Sequence, residues 1–118
     1  MTNGMCGADV RWRLEWDAQG NGKLNIFGSG PMSDYSLGLP PWEFDKDTIT
    51  AITIEEGVTH VGAFSFNECV DLVSLSLPTT LRSVGEGAFA GCICLPLQTL
   101  PSAVTIVGQD AFEGCLRF

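Results

Sequence analysis

Few side chains in this sequence are equipped for chemistry. There is one histidine, His60, and there are five cysteines: Cys6, Cys69, Cys92, Cys94 and Cys115. His60 is the side chain suited to proton transfer at neutral pH, but no Ser or Cys stands at a spacing that implies a catalytic triad. Glu55 and Glu56 form a carboxylate pair, yet adjacent residues on a strand point to opposite faces and do not converge on one substrate atom. Cys92-x-Cys94 is too short and too isolated for zinc, which takes four converging ligands from wider pairs. An odd number of cysteines leaves at least one thiol unpaired, which argues against a disulfide framework. Gly28-x-Gly30 lacks the third glycine and the following helix of a dinucleotide loop, so it reads as a turn. The expectation is no catalytic residue, no metal site, no cofactor and no enzyme.

Charge narrows the partners. Six Lys and Arg against fourteen Asp and Glu give a net charge of −8 with no basic cluster. A duplex carries about one negative charge per 1.7 Å and would repel such a chain. Nucleic acid is therefore excluded as a partner, and anionic membrane surfaces are disfavoured. The 118 residues point to one domain, and 45% hydrophobic content supplies a core, which excludes disorder as the main state. No apolar run approaches the roughly 18 residues of a spanning helix, so membrane insertion is not expected. The start, Met1 to Cys6, has no basic stretch followed by an apolar one and does not read as a signal peptide. An intracellular chain, or a piece of a longer one, is the corresponding expectation.

What positions these residues is a repeat. Val61-Gly62, Val84-Gly85 and Val107-Gly108 recur at a step of 23 residues, as do Phe66, Phe89 and Phe112, and Cys69, Cys92 and Cys115. Val58, Leu81 and Val104 share the step, with Ile54, Leu77 and Leu100, and Ile49, Leu72 and Leu95. No insertion or deletion interrupts these columns. Ile52 and Ile54 alternate with Ala51, Thr53 and Glu55, the period of a half-buried strand. Leu75 and Leu77 do the same between Ser74, Ser76 and Pro78. Pro78 and Pro101 cannot donate a ladder hydrogen bond, so each first strand stops there. The glycine after each column valine suits a sharp turn with positive φ. Residues 85–91 and 108–114 then read as one helical turn each.

A unit of this size cannot bury its own apolar edge, whereas stacked units form columns. Successive strands then lie about 4.8 Å apart in a narrow parallel sheet. Fully burying one column side chain is worth roughly 1.5–3 kcal/mol. Gln98, in the column of Ile52 and Leu75, and the apolar stretch Cys92–Leu97 predict an irregular third coil.

Residues 6–48 lack the columns. Trp12, Leu14 and Trp16 alternate with Arg11, Arg13 and Glu15, and Leu24 and Ile26 continue the pattern after Gly20-Asn21-Gly22, whose Asn-Gly marks a hairpin. The apolar face of this hairpin, with Trp42 and Phe44, is placed to cap the first coil. Residues 28–41, rich in Gly and Pro, read as irregular. The expected organisation is a single domain, 1–118: a cap and linker over 6–48, then repeats at 49–71, 72–94 and 95–118.

Val-Gly-Glu-Gly-Ala-Phe-Ala-Gly-Cys at 84–92 and Val-Gly-Gln-Asp-Ala-Phe-Glu-Gly-Cys at 107–115 resemble the BspA-type, or Treponema pallidum-type, leucine-rich repeats. The stretch with Cys6-Gly7, Trp12, Leu14, Gly22, Leu24, Ile26, Gly28-Ser-Gly30, Met32, Asp34, Tyr35 and Pro41-Trp42 resembles the module that precedes them. The resemblance implies an α/β leucine-rich-repeat right-handed solenoid without enzymatic activity. It also implies a surface-exposed or secreted bacterial protein that binds protein partners, with adhesion to host or neighbouring-cell proteins.

Three features carry the binding expectations. Outward strand positions Ala51, Thr53, Ser74, Ser76, Leu97 and Thr99 make a flat strip on which a protein partner can approach closely. The cysteine column reads as small buried thiols filling space, and His60, in a mixed column with Ser83 and Ile106, as a solvent-facing edge residue. The last coil ends at Leu116 and Phe118 with its face uncovered. Self-association through that end, giving a homo-oligomer, is the alternative to binding foreign proteins.

Overall fold

The computed structural model describes residues 2–116. In chain order the strands are β1 (Asn3–Met5), β2 (Val10–Trp16), β3 (Gly22–Gly28), β4 (Gly30–Pro31), β5 (Ile49–Ile54), β6 (Val58–Val61), β7 (Ser74–Ser76), β8 (Ser83–Val84) and β9 (Ile106–Val107). They form a β-solenoid of about three turns with two sheets, ordered β1-β2-β3-β5-β7 and β4-β6-β8-β9. The parallel registers reproduce the 23-residue columns: Ile52 faces Leu75, Val61 faces Val84 and Val84 faces Val107.

The hairpin β2–β3 is antiparallel, but β3 then runs parallel to β5, with Leu24 beside Ile52 and Ile26 beside Ile54. Trp12, Leu14, Leu24 and Ile26 are buried in one cluster with Ile52, Ile54, Phe66 and Phe89. The next segment follows the coil path too, since β4 pairs in parallel with β6. Trp42 then takes the place of the column phenylalanine. Trp42–Phe66, Phe66–Phe89 and Phe89–Phe112 stack at 5.3, 5.3 and 5.2 Å between ring centroids. Residues 22–48 are thus a coil without the sequence period. Trp12 lies edge-on to Trp42 at 5.5 Å, and its Nε1 is the buried side-chain polar atom without a hydrogen-bond partner among the described residues.

Four expectations are corrected. The helical turn in each repeat does not form, and the one helix among the described residues is a short 3₁₀ segment, Glu43–Thr48. Phe64 and Glu68 in the first coil, Gly87 and Gly91 in the second, and Asp110 and Gly114 in the third all have positive φ, which breaks a right-handed helix every few residues. The N–H groups of Phe64, Phe66 and Glu68 consequently point sideways and donate to Glu86, Ala88 and Ala90 of the next coil at 2.9, 2.8 and 2.7 Å. Gly87, Phe89 and Gly91 donate likewise to Gln109, Ala111 and Glu113. This run of turns is a third inter-coil ladder.

The column glycines Gly62 and Gly85 do not have positive φ. They are required by close approach: a Cβ at Gly62 would lie 1.9 Å from the Ser33 carbonyl oxygen, and one at Gly85 2.5 Å from the Ala63 nitrogen. The hairpin turn is also displaced. Gly22 pairs with Trp16 inside the ladder, and the loop is Asp17–Asn21, with positive φ at Gly20. There the Asp17 carboxylate accepts the N–H groups of Gln19 and Asn21 at 2.9 Å each. Finally, Phe44 is 98% exposed whereas Trp42 is 1% exposed. Phe44 sits on the 3₁₀ segment, none of whose residues is buried, whereas Trp42 precedes it as the N-cap.

The third coil is irregular. Its first strand is absent, so the larger sheet ends at β7, and the Gln98 amide bonds to the Pro96 carbonyl at 2.6 Å. Its column valine, Val107, is 48% exposed where Val61 and Val84 are buried.

Candidate interaction surface

The outward positions of β5 and β7 form two cross-strand rows. Ala51 lies beside Ser74, and Thr53 beside Ser76. Thr53, Ser74 and Ser76 are exposed and Ala51 half-buried. Leu97 and Thr99 are exposed but belong to no strand, so the flat part of the strip ends at β7. On the other side the rows continue further than the repeat alone indicates. Lys23 flanks Ala51 and Asn25 flanks Thr53, while Arg13 faces Asn25 and Arg11 faces Phe27. The alternation of Arg11, Arg13 and Glu15 with Trp12 and Leu14 was the signal for this extension. What it lacked was knowledge that β3 joins β5 in parallel and places the charged face beside the strip. Two side-chain bonds tie the junction: Asn25 to the Glu55 carboxylate at 3.1 Å and Lys23 to the Thr50 hydroxyl at 3.4 Å.

Glu55 and Glu56 diverge. Glu56 accepts both the backbone N–H and the hydroxyl of Thr79, and these bonds hold its carboxyl below the usual carboxylate range. They serve as separate ties and not as an acid/base pair.

His60 is not a solvent-facing edge residue, for its side chain is 22% exposed and both ring nitrogens are engaged. Nδ1 lies 2.6 Å from Ser83 Oγ and Nε2 lies 2.8 Å from Asp34 Oδ1. Asp34 Oδ1 also accepts the N–H of Ala63 at 2.8 Å. The bonds from His60 and Ala63 hold the Asp34 carboxyl below its ordinary value. With Nε2–H donating to that carboxylate, Nδ1 becomes the acceptor for the Ser83 hydroxyl. The sequence shows no triad spacing, yet three coils bring Ser, His and Asp into a hydrogen-bonded chain. Acyl transfer further needs donors aimed at a developing oxyanion. The amides of Gly85 and Gly108 beside this groove are already used, donating to Val61 and Val84 at 2.8 and 2.7 Å. The geometry makes the chain a tie across coils.

The cysteine column lies along the core. Cys69 and Cys92 are buried and Cys115 half-buried, with no disulfide among them. The Cys92 and Cys115 thiols donate to the carbonyls of Phe66 and Phe89 at 3.2 and 3.3 Å. Hydrogen bonding to Cys92 and burial both hold the Cys69 thiol far above its ordinary pKa, and burial alone pushes Cys6 up to about 12. Buried thiols raised in this way, Cys6 and Cys69, are unreactive. Among the described residues no group of three or more His, Cys, Asp or Glu is placed to hold a metal.

At the end of the third coil, Leu97, Leu100, Phe112 and Leu116 line an apolar crevice of about 110 Å³. Phe118 lies outside the described residues.

A leucine-rich repeat protein from Eubacterium ventriosum superimposes with a TM-score of 0.79 at 24% identity, over 98% of this chain and 36% of that one. One from Bacteroides ovatus gives 0.60 at 20% identity, over 92% and 32%. The leucine-rich repeat protein of T. pallidum gives 0.51 at 17% identity, over 86% and 64%. The chain thus spans about a third of the length of the first two. No curated protein matches it. The family model described as "BspA type Leucine rich repeat region (6 copies)" matches residues 39–118, and with the stacked columns this places the chain in the BspA-type leucine-rich repeat family.

Proposed function

We propose that the chain is a non-enzymatic protein-interaction module of a bacterial cell-surface or secreted protein, with adhesion as its role. The leucine-rich repeat fold supports an interaction module, and such folds are typically non-enzymatic. Among the described residues no helix is long and apolar enough to cross a membrane. The single observation that carries the reading is the flat outward face of the larger sheet, where Thr53, Ser74 and Ser76 are small, exposed and held in register. In this module the β2–β3 hairpin acts as the N-terminal cap. Surface plasmon resonance against a panel of matrix and bacterial surface proteins tests the reading. A true partner loses at least tenfold in affinity when Ser76→Lys or Thr53→Lys is introduced, while the melting temperature stays unchanged. Binding that survives both changes removes the strip as the contact.

A second reading rests on the apolar end formed by Leu97, Phe112 and Leu116. Leu97 and Leu116 are 69% and 40% exposed there, an arrangement that favours docking of another copy. Light scattering coupled to size exclusion then shows a concentration-dependent dimer that Leu116→Glu disperses. A monomer at every concentration ends this reading.

A further inference from the structure

We infer that Arg11 and Arg13, at the hairpin end of the sheet face, receive the carboxylates of an extended acidic peptide segment lying along β2. The inference rests on the reading of this face as an interaction surface and adds the chemistry of its partner.

The chain is acidic, with fourteen Asp and Glu against six Lys and Arg, yet Arg11, Arg13 and Lys23 stand on adjacent strands of this one face. Lys23 is committed locally, opposite Glu15 and bonded to Thr50. The arginines are less satisfied. Arg11 makes no ion pair with any described residue, and Arg13 reaches Glu15 only at 3.8 Å. Arg13 is held in place from one side instead, its guanidinium 5.6 Å over the Phe27 ring. A cation ordered by an aromatic face loses less freedom when it binds a ligand.

Between the arginines is a crevice of about 190 Å³ lined by Asn3, Gly4, Trp12 and Phe27. Arginines at alternate strand positions share a face and stand about 6.8 Å apart along it, the spacing of carboxylates at alternate positions of an extended peptide. A planar guanidinium fork matches a carboxylate with two parallel hydrogen bonds, which a lysine cannot do. The net charge of −8 repels acidic partners at long range, but about 0.1 M salt screens exposed charges beyond roughly 10 Å, leaving the contact pairs to decide.

The test uses a fluorescein-labelled nonapeptide of alternating Asp and Thr, and the same peptide with Asn for Asp, followed by anisotropy at 0.1 M salt. The wild type is expected to bind the acidic peptide at least tenfold more tightly than the neutral one. The double variant Arg11→Glu, Arg13→Glu should abolish that difference, and Arg82→Glu, an exposed cation elsewhere, should keep it. Melting curves verify that the variants fold, as expected for exposed positions. Equal binding of the two peptides, or undiminished binding by the double variant, overturns the inference. So does a heparin oligosaccharide that binds at the same arginines more tightly than the peptide, because the occupant is then a sulfated glycan. If Ser76→Lys weakens a protein partner that the arginine variant still binds, the strip reading stands and only the acidic-partner inference falls.

Discussion

Trp42 stacks on Phe66 at 5.3 Å with ring planes 15° apart, as close as the 5.3 Å between Phe66 and Phe89. Trp42 nevertheless belongs to a segment without the 23-residue columns. Its indole N–H donates to the Ser65 carbonyl at 2.7 Å, a buried bond from this segment to the first coil. The ring therefore covers the first column phenylalanine, and its N–H satisfies a carbonyl in the turn ladder.

Trp42→Ala is expected to cost about 3–5 kcal/mol, the range for removing a large buried aromatic side chain. Trp42→Phe keeps the stack but leaves the Ser65 carbonyl unpaired, for about 1–3 kcal/mol. Urea unfolding of both variants checks the order. Equal losses mean that the hydrogen bond outweighs the ring.

The stacked coils were legible because Ile52, Val61 and Phe66 recur at one step and each needs a neighbour of its own kind to be buried. Other parts were hidden for physical reasons. Positive φ at Phe64 and Glu68 has no marker in the side chains, since glycine fills those columns only at Gly87, Gly91 and Gly114. The coil of residues 22–48 keeps the path but not the spacing: Leu24 pairs with Ile52 at a step of 28, so a search for a fixed period passes over it. For the same reason Asp34 was invisible as the partner of His60. On the interaction face, Ala51, Thr53, Ser74 and Ser76 were placed by alternation alone, whereas their union with Arg11 and Arg13 depends on the parallel pairing of β3 with β5.

The column glycines make a sharp comparison. Gly62→Ala sets a Cβ 1.9 Å from backbone that cannot move without parting two coils. Its cost should reach or exceed the upper end of the roughly 1–3 kcal/mol typical of overpacking. Gly38 has positive φ but open space around its would-be Cβ, so Gly38→Ala should cost only the about 1–2 kcal/mol of a left-handed residue. Thermal melts of the two variants separate the effects. Similar losses would mean that the coils part readily at Gly62.

Acid should loosen the tie between coils. The Asp34 carboxyl is held below its ordinary value by His60 and by the Ala63 amide, so the native state binds fewer protons at this site than the unfolded chain does. The resulting stability is present above the unfolded value of about 4 and is lost as pH falls through the lower native value. Because the Asp34 side chain is 66% exposed, the effect is small, at most about 1 kcal/mol after screening. Asp34→Asn keeps an oxygen acceptor for Ala63 but removes the titration. It should lower the melting temperature slightly at pH 7 and lose less than the wild type between pH 5 and pH 2. Parallel wild-type and Asp34→Asn profiles across that window would show that Asp34 carries none of the acid sensitivity, and that Asp17 or Glu56, whose carboxyls are also held low by hydrogen bonds, carries it instead.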